Sequence, residues 1–206
     1  MYFTTEDYAL VDEIFALEIA LSSPKNGEDA ILLSSITQPE LIRRTFYLCA
    51  SAAFRESYLA DLKRYCSENM DVMPKVYAFL TSLQTTPEIE ALIAEEFQDA
   101  EAMIERFPLI VKTIPPLRDC DARPPVRSME FRMRLSLLGY SQKTLDALKE
   151  SFAALKAEGT TPLRRQADIL ANLEGYRSAA HAEAVRQEAM LDLAYGEEES
   201  LCGGEL

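Results

Sequence analysis

Few side chains in this sequence have the type and spacing to do chemistry. His181 is the only histidine. A helical metal site wants Glu-x-x-His or His-x-x-x-His spacing, which sets two ligands on one helix face. His181 instead sits among alanine and glutamate at 179–184, so it reads as an ordinary helix residue. Glu95, Glu96 and Asp99 lie within about one helical turn, a spacing that acid–base pairs and di-metal sites use. They belong to a stretch, 87–107, with seven acids, and a solvated acidic face is the simpler reading. The chain has no Gly-rich phosphate loop, no Gly-x-Ser-x-Gly elbow and no Cys–His dyad. No catalytic residue, metal or cofactor is therefore expected.

The cysteines Cys49, Cys66, Cys120 and Cys202 show no Cys-x-x-Cys spacing, which favours free thiols over a disulfide or zinc framework. A reducing cytoplasm is the matching expectation. Arg118, Arg123, Arg127, Arg132 and Arg134 form the one basic concentration. Such a group can grip a phosphate or an acidic segment, or pair with the protein's own acids.

The net charge is −13 and unevenly placed. Residues 1–40 carry eight acids against one base, and 87–107 carry seven against one. Residues 108–139 carry six bases against three acids. The alternation suits internal complementarity, or an acidic face that docks a basic partner. It opposes direct nucleic-acid binding, which depends on neutralising phosphates. No apolar run approaches the roughly 18 residues needed to span a bilayer. The N-terminal stretch is acidic and lacks the basic region of a secretory signal.

The elements that must position these groups are helices. With 48% hydrophobic residues and a mean hydropathy of −0.10, the chain reads as globular. The fold class is all-α: an irregular bundle of about seven helices around a central helix at 38–67. From Glu40 on, that stretch has no Gly or Pro, and Thr37 with Glu40 makes a capping-box start. Its aliphatic stripe is Leu41, Leu48, Ala52, Leu59, Leu62 and Cys66. Its aromatic stripe is Tyr47, Phe54, Tyr58 and Tyr65, and Ile42, Phe46, Cys49, Ala53 and Ala60 form a third sector. A helix apolar on three sides is surrounded by others.

Around it, Leu10, Ile14, Leu17 and Leu21 mark a first helix. Short helices are expected at 28–36 and 74–83. Thr86 and Pro87 start an acidic helix that Pro108 stops. Half of the ten prolines fall at 108–125. This connector, 108–127, repeats a Pro-Pro-apolar-Arg unit at 115–118 and 124–127, with the chemistry of a polyproline-II ligand or a stiff spacer. Helices at 128–138 and 141–158 follow, ended by Gly139 and Gly159. A last helix, 162–195, carries the seam Leu163, Leu170, Leu173, Ala180, Ala184, Leu191 and Tyr195. At 1.5 Å per residue it spans about 50 Å. The domain reading is an N-terminal bundle at 1–107, the connector, a C-terminal helical part at 128–196 packed on the first, and an acidic tail at 197–206.

Two functions fit. The first is a non-catalytic, acidic helical module that binds another protein, as adaptor, chaperone or inhibitor, with a basic or nucleic-acid-binding partner and, as a sub-case, an acidic face that mimics DNA. Its contact residues would be Glu88, Glu95, Asp99, Glu101, Arg118, Arg127, Leu191 and Tyr195. The second is a small-ligand binder or enzyme using an inter-helix cavity lined by Tyr47, Tyr58, Tyr65 and arginines. A polar cavity reaching those tyrosines favours the second; a filled core with an exposed apolar groove favours the first.

Overall fold

The computed structural model describes residues 3–22, 40–68, 85–110, 117–121 and 128–202, with 193–202 by backbone alone. Regular structure within them is entirely helical. The elements are α1 (Thr5–Ser22), α2 (Glu40–Cys49), α3 (Ala52–Ser67), α4 (Pro87–Arg106), a 3-10 turn at Asp119–Asp121, α5 (Met129–Leu138), α6 (Gln142–Ala157), α7 (Pro162–Leu173) and α8 (Ala179–Cys202). No helix among the described residues is long and apolar enough to cross a membrane. The helices expected at 28–36 and 74–83, and both Pro-Pro pairs of the connector, lie outside the described residues.

The expected central helix is two helices. Ser51 leaves the helical region at φ −65° and ψ 157°, and its hydroxyl accepts from the Phe54 N–H, capping α3. The Ser51 N–H donates to Ser151 Oγ of α6 at 2.8 Å. The carbonyls left over at the end of α2 are collected by one buried cation. Arg55 Nη1 donates to the carbonyls of Ala50 at 2.6 Å, Tyr47 at 3.2 Å and Leu48 at 3.4 Å. A guanidinium is well placed at the negative end of a helix dipole. Arg55 Nη2 also pairs with Asp7 of α1, so the break is tied to two other helices. Side chains stop this helix where no Gly or Pro does. Leu48, Phe54, Tyr58 and Leu59 are buried as their stripes predict. Ala52 and Ala60 are exposed because the break rotates the faces past Ala50, and Leu41, in the first turn of α2, is 52% exposed.

Helix α1 lies on α2 and α3, α3 on α6, α5 on α4, and α7 on α2, α4 and α8. Thr4 and Asp7 start α1 with a reciprocal box, each accepting the other's backbone N–H, at 3.1 and 2.9 Å. Helix α1 buries Val11, Ile14, Phe15 and Glu18, while Leu10, Leu17 and Leu21 are half-buried. Helix α4 starts as expected, with Thr86 as cap and Pro87 in its first turn. It buries Ile89, Leu92, Ile93, Phe97 and Ala100, whereas Ile104 is exposed. Phe54 and Tyr58 stack at 6.0 Å, and Tyr140 meets Tyr58 edge-on at 4.6 Å, forming the aromatic centre of the core. Buried Asp61 reaches across to the start of α6, accepting from Ser141 N–H at 2.9 Å and Thr144 Oγ1 at 2.7 Å. A carboxylate there complements the helix dipole.

The expected 162–195 helix is also two. Gly175 sits at φ +91°, a conformation favouring glycine. Tyr176 N–H bonds Ala171 O at 2.9 Å and Gly175 N–H bonds Asn172 O at 3.0 Å, the paired closure of a Schellman motif. Helix α8 restarts with its Ala179 N–H held by Asp168 Oδ1 of α7 at 2.8 Å. His181 Nδ1 accepts from the Arg177 N–H at 3.2 Å, a local role at a helix start. Ala179, Ala182 and Glu183 are buried, whereas Ala180 and Ala184 are exposed. The expected seam is therefore not continuous: Leu173 and Leu191 are 63% and 58% exposed.

Candidate functional site

The acidic helix was expected to keep Glu88, Glu95, Asp99 and Glu101 exposed with few internal ion pairs. The structure corrects this in part: Glu101 is exposed, but three of the four acids make ion pairs within the chain. Lys149 of α6 pairs with Glu88. Lys156 of α6 pairs with Glu95 at 2.5 Å, and Arg118 with Glu101 at 3.1 Å. Arg134 of α5 grips both oxygens of Glu90, from Nε at 2.9 Å and Nη2 at 2.8 Å. That hydrogen bonding lowers the Glu90 carboxyl pKa below its ordinary value. Glu88 and Glu95 are only half-exposed, and Asp99 is half-buried. Arg127 and the Tyr195 side chain lie outside what is described, and Leu191 is an exposed residue on α8.

Five helices, α2, α4, α5, α6 and α7, contribute to a cavity of about 70 Å³ whose apolar lining includes Phe46, Leu92, Met133, Leu148, Phe152 and Leu163. By volume it admits about five waters or one small organic molecule. The polar groups lining it are few: Arg43, Tyr47, Tyr140, Ser136, Gln166 and Glu96. Apolar walls with a handful of convergent polar groups are what a ligand site requires.

Arg43 and Tyr47 belong to a buried network centred on Glu18 of α1. Glu18 Oε1 accepts from Arg43 Nη2, from Tyr47 OH at 2.5 Å and from Tyr58 OH at 2.6 Å. Arg43 Nη2 also donates to Tyr47 OH at 3.1 Å. Burial, followed by the Glu18 charge, drives the Tyr47 phenol well above its ordinary pKa, so it stays a donor. Burial works against the Arg43 charge, but Tyr47 and Glu18 outweigh it and raise its pKa. Of the three tyrosines expected at a cavity, Tyr47 lines it. Tyr58 is spent on Glu18, and Tyr65 OH donates to Gly139 O at 2.9 Å. Gln166 ties α7 to α2, its Nε2 donating to Ile42 O at 2.6 Å and Thr45 Oγ1 at 2.9 Å.

Glu96 differs from the rest. It is 5% exposed and lines the cavity, and its Oε1 has no hydrogen-bond partner among the described residues. Burial first, then repulsion from Asp99 and Glu95, pushes its carboxyl pKa up to about 8, with Lys156 opposing. Near neutral pH it is mostly a neutral acid, able to give or take a proton within the cavity. Asp99 Oδ2, one turn along, is likewise buried and without a partner among the described residues. Burial raises the Asp99 pKa, opposed by a hydrogen bond from Thr161.

The sequence reading put Glu96 on a solvated face. Its true environment is written in its register, because 89, 92, 93, 96, 97 and 100 form one inward stripe of α4. Tyr140 and Glu18 carried no comparable local signal. Tyr140 sits in the short link between α5 and α6, and Glu18 is an acid on an otherwise apolar helix face. Among the described residues, no group of three or more His, Cys, Asp or Glu side chains is arranged to hold a metal ion.

No curated protein and no solved structure matches the chain. Every cavity-lining residue, from Arg43 to Gln166, nevertheless falls inside one family match. That match covers residues 8–184, and the chain belongs to the family described as Protein of unknown function (DUF4125).

Proposed function

We propose that this protein binds a small molecule in the cavity between α2, α4, α5, α6 and α7. The observation that supports it is the combination of apolar walls with a buried, unpartnered Glu96 oxygen on the same cavity. Burying an unpaired polar group costs about 1–3 kcal/mol. A core evolved for stability alone gains by replacing it with an apolar residue of like size. Retaining a carboxyl there makes physical sense where a ligand uses it. The ligand is small, with an apolar body against Phe46, Leu148 and Phe152 and one polar group toward Glu96. The experiment is ligand-observed NMR with a library of compounds of about ten non-hydrogen atoms or fewer. Wild-type protein should return hits, and Met133→Trp, which fills the cavity from α5, should lose them while staying folded. Hits that bind the filled variant equally well would place the site elsewhere.

A second reading, a protein-docking surface, draws its support from α8 rather than from Glu88, Glu90, Glu95 and Glu101 of α4, whose partners lie within the chain. Val185, Met190 and Leu191 are 37%, 53% and 58% exposed, and all three fall beyond the family match. Exposed Cys66 and Cys120 thiols suit a reducing cytoplasm, which remains part of this proposal. Pull-down with the full chain and with a Met190→Glu, Leu191→Glu double variant tests it: a partner retained by both excludes the α8 strip.

A further inference from the structure

The chemistry around Glu96 narrows the ligand class, an inference that rests on the cavity reading above. Three carboxylates, Glu95, Glu96 and Asp99, fall within one turn of α4. The cation facing them is Lys156 of α6, and it is bonded to Glu95 at 2.5 Å. Glu96 Oε1 and Asp99 Oδ2 remain as buried acceptors without partners among the described residues. The positive charge of Arg43, also on the cavity, is matched by Glu18. Unpartnered acceptor atoms are thus left in excess on the α4 side. The cavity lining also includes four aromatic rings, Phe46, Tyr47, Tyr140 and Phe152. Ring faces attract cations, and more strongly away from water.

We infer that the cavity takes a small amine, bound as an ammonium whose N–H groups bond the Glu96 carboxylate while its apolar body lies among the aromatic rings. An ammonium has three donors and no acceptor, which suits acceptors that lack donors. An anion would add like charge to that of Asp99 and Glu95 beside Glu96. A neutral alcohol would bond Glu96 without ionising it. Pairing with a cation lowers a carboxyl pKa. Glu96 holds its proton up to about pH 8, so amine binding at pH 7 ionises it and releases that proton. Charge and atoms balance: ammonium plus carboxylic acid become an ammonium–carboxylate pair and a solvent proton.

The test is isothermal titration of the full chain at pH 7 with n-butylamine, n-butanol and butyrate, in two buffers of different ionisation enthalpy. The amine should bind at least about tenfold more tightly than the alcohol, and release close to one proton. Glu96→Gln should remove most of that preference, leaving amine and alcohol within about twofold of each other. If this variant does not fold, the wild-type preference for amine over alcohol and butyrate decides. An amine bound no more tightly than butyrate overturns the inference. Alcohol binding equal to amine binding, and blocked by Met133→Trp, overturns the amine class while leaving the cavity reading intact. Binding of none of the three overturns both.

Discussion

Glu18 and Glu96 are buried to the same degree, 6% and 5% exposed, and both adjoin the middle of the bundle. Glu18 is held by a guanidinium and two phenols drawn from α2 and α3. Glu96 faces acids, and its Oε1 has no partner among the described residues. A buried charge with that many donors costs the fold little and fixes how α1, α2 and α3 sit together. A buried carboxyl without them stays near neutral by keeping its proton. The difference separates a polar group that specifies packing from one that is chemically disposed to meet something else.

The largest effect should come from breaking the first environment. Arg43→Met removes the cation beside Glu18 and should cost about 3–5 kcal/mol in urea unfolding. Adding Glu18→Gln to it should recover much of the loss, since no uncompensated charge is then buried. A cost under about 1 kcal/mol would show that the phenols alone suffice. Arg55 extends the comparison to a cation satisfied by backbone carbonyls. Arg55→Met should cost about 1.5–3 kcal/mol and loosen hydrogen-exchange protection at the end of α2.

Glu96 should behave in the opposite sense. Glu96→Met should leave stability unchanged or raise it by up to about 1–3 kcal/mol, the cost of an unpaired buried polar group. Its pH dependence follows from a folded pKa of about 8 against an ordinary 4.5. Between these values the folded chain holds a proton that the unfolded chain has released. The contribution of Glu96 is therefore fully present below pH 4.5 and is lost as pH rises through 8. Unfolding free energy of the wild type, measured relative to Glu96→Gln, should fall across that window. Glu90, lowered by Arg134, acts the other way: its contribution is present above pH 4.5 and lost as pH falls. A flat difference between wild type and Glu96→Gln from pH 5 to 8 would mean that Glu96 is ionised in the fold. The smallest effect is Ser51→Ala, about 1 kcal/mol, read as weakened protection at the start of α3.

Helix content and several helix starts were legible because they are local: Thr86, Ser141 and Thr161 each cap the helix that follows. Both misread helices broke for reasons a periodic pattern does not display. At Ser51 the stop depends on Arg55 reaching back to carbonyls and on Ser151 from another helix. At Gly175 the signal was present, a lone glycine in a helical run, but the apolar spacing ran through it. The candidate site was less legible. Tyr47 was placed at a cavity from its aromatic stripe. Glu18, Arg43, Glu96 and Tyr140 come together only through tertiary packing, and segment charge alone cannot tell a buried acid from a solvated neighbour.

The most direct measurement uses the methionines as reporters. Met129 and Met133 line the cavity, whereas Met190 is exposed on α8. Methyl spectra of methyl-labelled methionine protein should be recorded during titration with n-butylamine, and again with the low-molecular-weight fraction of an extract of the source cells. The Met129 and Met133 methyls should shift in both while Met190 stays in place, and Met133→Trp should abolish the Met129 shift. Shifts confined to Met190, with Met129 and Met133 unmoved throughout, would contradict binding in the cavity.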